Sequence, residues 1–256
     1  MTMDHDVLVS QRKISQRTAV ARRADYEAQS VTDSFIVLLL REQILSLLAR
    51  YATPAPGDRA LDIGCGRQPF RKILEERGYH YVSLDAQQNP EQSVDLVCEI
   101  DRPIPETLFN GDKFQLLLCT EVMEHVADWE TAFTNFVKMM APGAKLLITC
   151  PHFYPLHEEP HDFWRPTPYA FQYFADRFNL KILYQANAGD SWDVLGTLLS
   201  TCYTKPASSH WRDRLINRVV NYAHRWILKL LFDRRLQSAV QVYGPLYLSN
   251  VIVFEK

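Results

Sequence analysis

The sequence has few cysteines, almost no net charge and no long hydrophobic run. Its five cysteines form no CxxC pair and no zinc-like spacing, which is typical of reduced thiols in a cytoplasmic protein. Phe35 to Leu40 is the longest apolar run near the N-terminus, far short of the ~20 helical residues that span a bilayer, and residues 1–13 show no signal peptide. A net charge of −2 excludes a generally basic nucleic-acid coat.

The composition and hydrophobic pattern predict an α/β protein. Hydrophobic residues make up 47% of the 256 residues and aromatics 12%, which argues against large-scale disorder. Strand-like and helix-like segments alternate along the chain, which predicts a doubly wound, mostly parallel sheet in a single domain over 1–256. The predicted strands are 60–63, 79–84, 94–98, 114–119, 145–149, 180–184 and 248–254, and the predicted helices are 33–51, 70–77, 128–140 and 168–178.

A glycine turn follows the first predicted strand, at Asp62, Gly64, Cys65 and Gly66. Glycines allow a ligand to lie against the backbone, and the following helix N-terminus offers free N–H groups to a negative group. Asp85 ends the second strand, where an acid can bind both hydroxyls of a ribose. The pattern therefore predicts a nucleotide-containing cofactor at the carboxyl ends of the first two strands.

Two cofactor classes fit this turn. A dinucleotide enzyme has glycine or alanine at the third position of GxGxxG, where this chain has Pro69. The acid at Asp62 also suits the ammonium of an amino-acid moiety. Here the chain resembles the class I S-adenosylmethionine-dependent methyltransferases, in particular the type 11 group, although Gln68 replaces the last glycine of their first motif.

The resemblance extends to three further motifs. Asp101 follows the third strand, where the family places an acid near the adenine amine, and residues 121–126 match the family signature E-V-x-E-H. The turn at 141–144 matches the L-x-P-G-G turn before the fifth strand. The resemblance implies a seven-stranded Rossmann-like sheet whose last strand is antiparallel, with S-adenosylmethionine held in part by Asp101 and Glu121.

The resemblance also implies a reaction. We expect methyl transfer to a small-molecule or sugar acceptor, glycan- or lipid-linked acceptors included, at a hydroxyl oxygen first and at an amine next. Methylation of RNA is an alternative, which the balanced charge outside residues 205–235 does not favour. A regulator that binds the cofactor without catalysis is another.

His125 and His161 are the candidate bases. His125 belongs to the E-V-x-E-H signature, and residues 160–167 resemble a loop of the ubiquinone-pathway O-methyltransferases and, more faintly, one of the small-RNA 2′-O-methyltransferases. Members of both groups bind a divalent metal, so the resemblance implies a metal alternative, which we do not favour, at Glu121, Glu124, His125 and His161. The spacing i, i+3, i+4 would place the first three of these on one helical face.

The loop after the fifth strand supplies candidate substrate contacts. Residues 150–168 are rich in proline and histidine, which is typical of a loop over a site. A histidine in such a loop is also often a plain surface residue, and an Arg–Trp pair can simply brace the loop. The candidates are His152, Tyr154, His157, Trp164 and Arg165.

Two segments flank this core. Residues 1–52 are predicted to form an N-terminal helical cap, and residues 186–247 a helical insertion before the last strand. Within the insertion, 211–232 is basic and amphipathic, and a basic tract continues to 235. Three roles remain open for it: a lid that packs on the sheet, a homodimer contact, or contact with a membrane or an anionic substrate.

Overall fold

The fold is described from a computed structural model of the chain. The residues described are 26, 28, 33–109, 111–240, 242 and 244–256. The first half of the predicted N-terminal cap, residues 1–25, lies outside them. Its second half contains helix α1, Asp33–Tyr51, which confirms the predicted helix, although Leu38 of the predicted apolar face is exposed.

Seven strands form one mixed sheet, as expected. Their order is β3-β2-β1-β4-β5-β7-β6, and all pairs are parallel except those that β7 makes with β5 and β6. The strands are β1 Arg59–Ile63, β2 His80–Asp85, β3 Leu96–Val97, β4 Phe114–Thr120, β5 Met140–Pro151, β6 Lys181–Ala188 and β7 Ser249–Glu255. The carboxyl ends of β1, β2, β4 and β5 therefore meet at one edge.

Helices cover both faces of the sheet. Helices α3 and α4 pack on one face, and α1, α2 and α5 pack on the other. The apolar run of strand β4 is continuous because both faces of the sheet are covered there. Leu117 points to the first face, and Leu116 and Leu118 point to the second. The remaining helices are α2 Arg71–Glu76, α3 Trp129–Met139, α4 Pro168–Arg177, α5 Ser191–Thr201, α6 Trp211–Leu231 and α7 Arg234–Ala239.

Three strands, β3, β5 and β6, differ from the prediction by more than one residue at an end. Strand β5 begins at Met140, which pairs with Phe114 before a register shift, so the predicted turn at 141–144 is a bulge within the strand. Strand β6 continues to Ala188 because β7 pairs with it that far. Strand β3 has only two residues, since the amide of Asp95 donates to the Ser83 hydroxyl (2.9 Å) rather than to the ladder.

The predicted insertion contains α5, α6 and α7, between β6 and β7. Helix α5 begins with a capping box formed by Asp190 and Asp193, and it packs on the sheet. Helix α6 lies on α5, where the ring of His224 donates from Nε2 to the carbonyl of Leu199 (2.6 Å). At its end Leu231 joins the apolar cluster on that face of the sheet, and the lid, homodimer and membrane roles stay predictions.

Candidate active site

The glycine turn lies between β1 and α2, where the sequence predicts it. The amides of Gly64 and Cys65 both donate to the carbonyl of Leu84, at 2.8 and 3.2 Å, so the turn is tied to the end of β2. Gly64 has φ +65° and Gly66 has φ +52°, which favour glycine. A Cβ on Gly64 would overlap Cγ2 of Val122, so the backbone of the turn lies directly against the E-V-x-E-H segment.

Asp85 is joined to this turn. Its Oδ2 accepts a hydrogen bond from the amide of Gly66 (2.9 Å), and Oδ1 accepts from the amide of Gln87 (3.2 Å). The residue is buried at the end of β2. The expected acid therefore lies beside the glycine turn, where a ribose bound against that turn would come within its reach.

Asp62 is buried behind the turn. Its Oδ2 accepts a hydrogen bond from the hydroxyl of Tyr81 (2.7 Å). Burial raises the pKa of Asp62, the Tyr81 hydrogen bond lowers it in part, and the charge of Asp85 adds a smaller increase, so that the pKa is about 7. A cation bound nearby would favour the carboxylate form, which is consistent with the predicted role toward an ammonium group.

Gln68 shows how the chain accommodates its departure from the family motif. The residue has φ +60°, the conformation that a glycine at this position would adopt without strain. Its Nε2 donates to the carbonyl of Ser93 (2.7 Å) and to Oγ of Ser83 (3.1 Å). These bonds attach the turn to β2 and to the following loop, which a glycine would not do.

Asp101 and Glu121 lie at the same edge of the sheet. Oδ2 of Asp101 accepts from the amide of Ala127 (3.2 Å). Glu121 follows β4 with φ +52°, and its Oε1 accepts from the hydroxyl of Ser249 (2.9 Å). Both acids remain candidates for cofactor contact.

A cluster of three side chains joins the E-V-x-E-H turn to the histidine-rich loop, which we name the acceptor side. It consists of Glu124, His125 and His157. Oε1 of Glu124 lies 3.7 Å from Nε2 of His125 and 3.8 Å from Nε2 of His157, and the two rings are 4.8 Å apart. Among the residues described, neither oxygen of the fully buried Glu124 has a hydrogen-bond partner. Burial, and next the charge of Glu121, raise the pKa of Glu124 well above its usual range.

The hydrogen bonds of the two rings define their tautomers. Nδ1 of His125 lies 2.7 Å from the carbonyl of His161, and Nδ1 of His157 lies 3.2 Å from the carbonyl of Pro155. Since a carbonyl only accepts, each Nδ1 carries the proton, and in the neutral ring Nε2 has a free lone pair. Burial lowers the pKa of His125, which favours its neutral form. Two imidazole lone pairs and a carboxyl oxygen thus converge.

This cluster differs from the residues expected to bind a metal. The ligand atoms of Glu124, His125 and His157 all lie within 4.8 Å of one another, which fits a divalent cation. The predicted convergence of Glu121 on one helical face is absent, because residues 123–125 form only a 3₁₀ turn and Glu121 precedes it with a left-handed backbone. His161 contacts His125 through its backbone carbonyl, and its ring lies against Phe163.

The histidine-rich loop is held on this turn by backbone hydrogen bonds. The amides of Phe163 and Trp164 donate to the carbonyl of Glu124, at 2.8 and 3.3 Å, and the indole of Trp164 donates to the carbonyl of Val126 (2.9 Å). His157 was predicted only as a substrate contact. This docking, together with the hydrogen bond that the backbone amide of His157 donates to Oδ2 of Asp162 (2.9 Å), brings the His157 ring to Glu124. No spacing in the sequence signals that contact.

The other predicted substrate residues also brace the loop. Arg165 binds both oxygens of Asp162, at 2.6 and 2.7 Å, and so braces the loop through an ion pair rather than through the alternative pair with Trp164. Burial raises the pKa of Asp162, but the hydrogen bonds from Arg165 and His157 outweigh it, and the pKa lies below its usual range. Tyr154 donates to Asp33 of α1 (3.2 Å). The ring of His152 stacks on Tyr247, with centroids 4.4 Å apart.

Comparison with known proteins gives partial matches in sequence and broader ones in structure. The ubiquinone biosynthesis O-methyltransferase of Aeromonas salmonicida is 26% identical over 102 residues, which are 36% of this chain and 43% of that enzyme. The chain thus matches less than half the length of this curated relative.

Two solved structures share the fold. Phosphoethanolamine N-methyltransferase 2 of Haemonchus contortus, in complex with S-adenosyl-L-methionine, superposes with a TM-score of 0.50 at 16% identity, over 84% of this chain and 52% of that one. The 1,6-didemethyltoxoflavin-N1-methyltransferase of Burkholderia thailandensis, with bound S-adenosylhomocysteine, gives 0.51 at 11%, over 85% and 78%. At these identities the likeness concerns the fold.

The family assignment rests on a match that covers most of the chain. A family model described as a methyltransferase domain matches residues 38–190, from α1 through the glycine turn, the E-V-x-E-H turn and the histidine-rich loop to the end of β6. The sheet order and the antiparallel β7 agree with that fold. The chain therefore belongs to the class I S-adenosylmethionine-dependent methyltransferase family.

Proposed function

We propose that this chain transfers the methyl group of S-adenosylmethionine to a small-molecule acceptor, at a hydroxyl oxygen first and at an amine next. The contact of Gly64 with Val122 carries the proposal. It places a turn suited to a nucleotide cofactor directly against the turn that bears Glu124 and His125. A cofactor cradle and a group of proton acceptors therefore share one edge of the sheet.

The residues on the cofactor side fit this ligand. The backbone at Gly64 leaves no room for a side chain, Gly66 has φ +52°, and Asp85 is held beside them. The sulfonium of S-adenosylmethionine is already activated, so alignment of nucleophile, methyl group and sulfur supplies much of the rate. Bound there, the cofactor supplies that methyl group.

His125 is the best candidate for the base. Its Nδ1 proton is donated to the carbonyl of His161, so Nε2 is free to accept the proton of an acceptor hydroxyl. The lowered pKa keeps the ring neutral at pH 7. His157 presents its Nε2 to the same oxygen of Glu124, at 3.8 Å, and is the second candidate. His161 is a less direct candidate for the base, because it contacts His125 only through its backbone carbonyl.

A cation offers a different way to activate the acceptor. Glu124, His125 and His157 would hold a divalent metal ion, which would lower the pKa of a bound hydroxyl. Turnover after chelation with EDTA, and after Mg²⁺, Mn²⁺ or Zn²⁺ is added back, separates the two mechanisms. Full turnover of the chelated protein would rule out the metal mechanism and retain the histidine base.

Calorimetry with S-adenosylmethionine tests the cofactor assignment. Asp85→Ala removes charge-assisted hydrogen bonds of ~1.5–3 kcal/mol, and we expect the affinity to fall about 10- to 150-fold. Asp112→Ala is the matched control, because that exposed acid pairs with Arg59 at the amino end of β1. Equal affinities of the two variants would contradict the assignment, and tight binding of NADH to the wild type would favour a dinucleotide.

The acceptor is best identified with labelled S-adenosylmethionine in a metabolite extract. An acceptor linked to a glycan or a lipid is included in the proposal. We further propose a reducing, cytoplasmic setting, which is supported by five cysteines that are all free thiols. Label that enters RNA alone would contradict a small-molecule acceptor.

A further inference from the structure

Helix α6 turns its polar side toward the protein. The side chains at half-buried or buried positions follow one another at intervals of three or four residues. Midway along the helix the Asn221 amide oxygen accepts from the hydroxyl of Thr204 (2.8 Å), and the ring of His224 donates to the carbonyl of Leu199. The inward positions are Asp213, Asn217, Asn221, His224, Leu228 and Leu231.

The opposite side of α6 is apolar and exposed. Its nine large apolar side chains, which we name the outward face, have exposed fractions between 44% and 66%. A helix on a globular protein normally buries its apolar stripe, so this orientation is reversed. The outward face consists of Trp211, Leu215, Ile216, Val219, Val220, Tyr222, Trp226, Ile227 and Leu230.

Basic residues accompany the outward face. Arg214, Arg218, Arg225 and Lys229 recur at intervals of four and seven, which places them along one margin of the apolar stripe, and Arg212 lies within it. All five are exposed, and within the described residues none has an ion-pair partner. Nζ of Lys229 lies 5.6 Å from the ring of Trp226. The surface thus combines exposed aromatics with uncompensated positive charge.

We propose that the outward face of α6 binds the surface of a membrane that contains anionic lipids. The helix would lie in the plane of the interface, with the apolar side chains at the boundary between headgroups and acyl chains and the basic margin on the phosphates. An in-plane orientation agrees with the observation that no helix in the described part of the chain has the length and hydropathy to cross a bilayer.

The charge of the outward face favours a membrane over two other binding partners, a second copy of the chain and residues 1–25. A second copy of α6 would bring the same five basic residues against themselves, and its one acid, Asp213, points inward. Residues 1–25 carry five basic and three acidic residues, so their charge does not complement the helix either. An anionic surface neutralises the basic margin and covers the apolar stripe at once.

The inference is independent of the proposed reaction, because it uses no residue of the candidate active site.

Vesicle flotation with the full chain tests the proposal. We expect binding to phosphatidylcholine vesicles that contain about one-third phosphatidylglycerol, at least tenfold weaker binding to pure phosphatidylcholine, and weakening between about 0.05 and 0.5 M NaCl. Replacing Arg214, Arg218 and Arg225 with Gln should lower the affinity by about 100-fold, since each basic residue near such a surface contributes about fivefold.

A second variant tests the apolar contribution. Val219→Gln with Trp226→Gln should also weaken binding, whereas Tyr169→Gln with Tyr173→Gln, which removes exposed aromatic area on α4, should not. Unchanged thermal unfolding midpoints establish that the variants fold. Absence of binding, equal binding to both vesicle types, or full binding by both α6 variants would overturn the proposal. So would a dimer, seen by analytical ultracentrifugation, that the Val219/Trp226 variant abolishes, because it assigns the face to a second copy.

Discussion

The contact between Gly64 and Val122 predicts that Gly64→Ala destabilises the fold more than a turn glycine alone would explain. At φ +65° an alanine is strained by about 1–2 kcal/mol. Its Cβ would also overlap Cγ2 of Val122 and lie 3.0 Å from Cγ1. Overpacking of this kind costs about 1–3 kcal/mol, because the β-branched valine cannot rotate away freely.

Gly143→Ala is the matched control for the backbone strain. Gly143 has φ +75°, and nothing lies within 4 Å of a Cβ built on it. We expect urea unfolding to show a loss of about 1–2 kcal/mol for Gly143→Ala and about 2–5 kcal/mol for Gly64→Ala. Adding Val122→Ala should restore part of the difference. Equal losses for the two single variants would refute the proposed contact.

Two further predictions concern residues around the glycine turn. The folded-state pKa of Asp62, about 7, lies above the ordinary value of 3.8, so between pH 4 and 7 the folded state retains a proton that the unfolded state has lost. Asp62 alone should therefore lower the stability by up to about 4 kcal/mol as the pH rises through this range. Asp62→Asn should remove this contribution in urea unfolding across pH 4–8 and leave the contribution of the same sign from buried Glu124. Gln68→Ala should be less stable than Gln68→Gly by about 1–2 kcal/mol, because both lose the same side-chain hydrogen bonds but only alanine is strained at φ +60°. Indistinguishable midpoints for these two variants would contradict that reasoning.

The cofactor side could be predicted from the sequence because its signals are local. A strand, a glycine turn and an acid at the next strand end fix Gly64, Gly66 and Asp85 within a short stretch of chain. Parallel pairing of β1 with β2 then brings the acid to the turn. Gln68 departs from the motif without changing this geometry, since it adopts the left-handed conformation itself.

The acceptor side could not be predicted in the same way. Whether His157 or His161 reaches Glu124 depends on how a proline-rich loop docks, through hydrogen bonds from the amides of Phe163 and Trp164 that any residue except proline could donate. The side chains of the loop therefore give no signal for which of its residues will lie against Glu124. The same limit applies to α6, whose periodicity correctly predicted an amphipathic helix but does not state which side faces the protein.

The short segment from Glu121 to Val126 connects the two halves of the candidate site. Its Val122 side chain holds the glycine turn, and its Glu124 carbonyl holds the histidine-rich loop. The carboxyl group of the same Glu124 is buried without a hydrogen-bond partner in the described structure and faces two imidazole lone pairs. A buried acceptor group of this kind is costly unless something supplies positive charge or a proton. The charge of Arg165 lowers the pKa of Glu124 only in part, so the geometry of the cluster suits a proton or a cation, and Val122 of the same segment lies against the glycine turn.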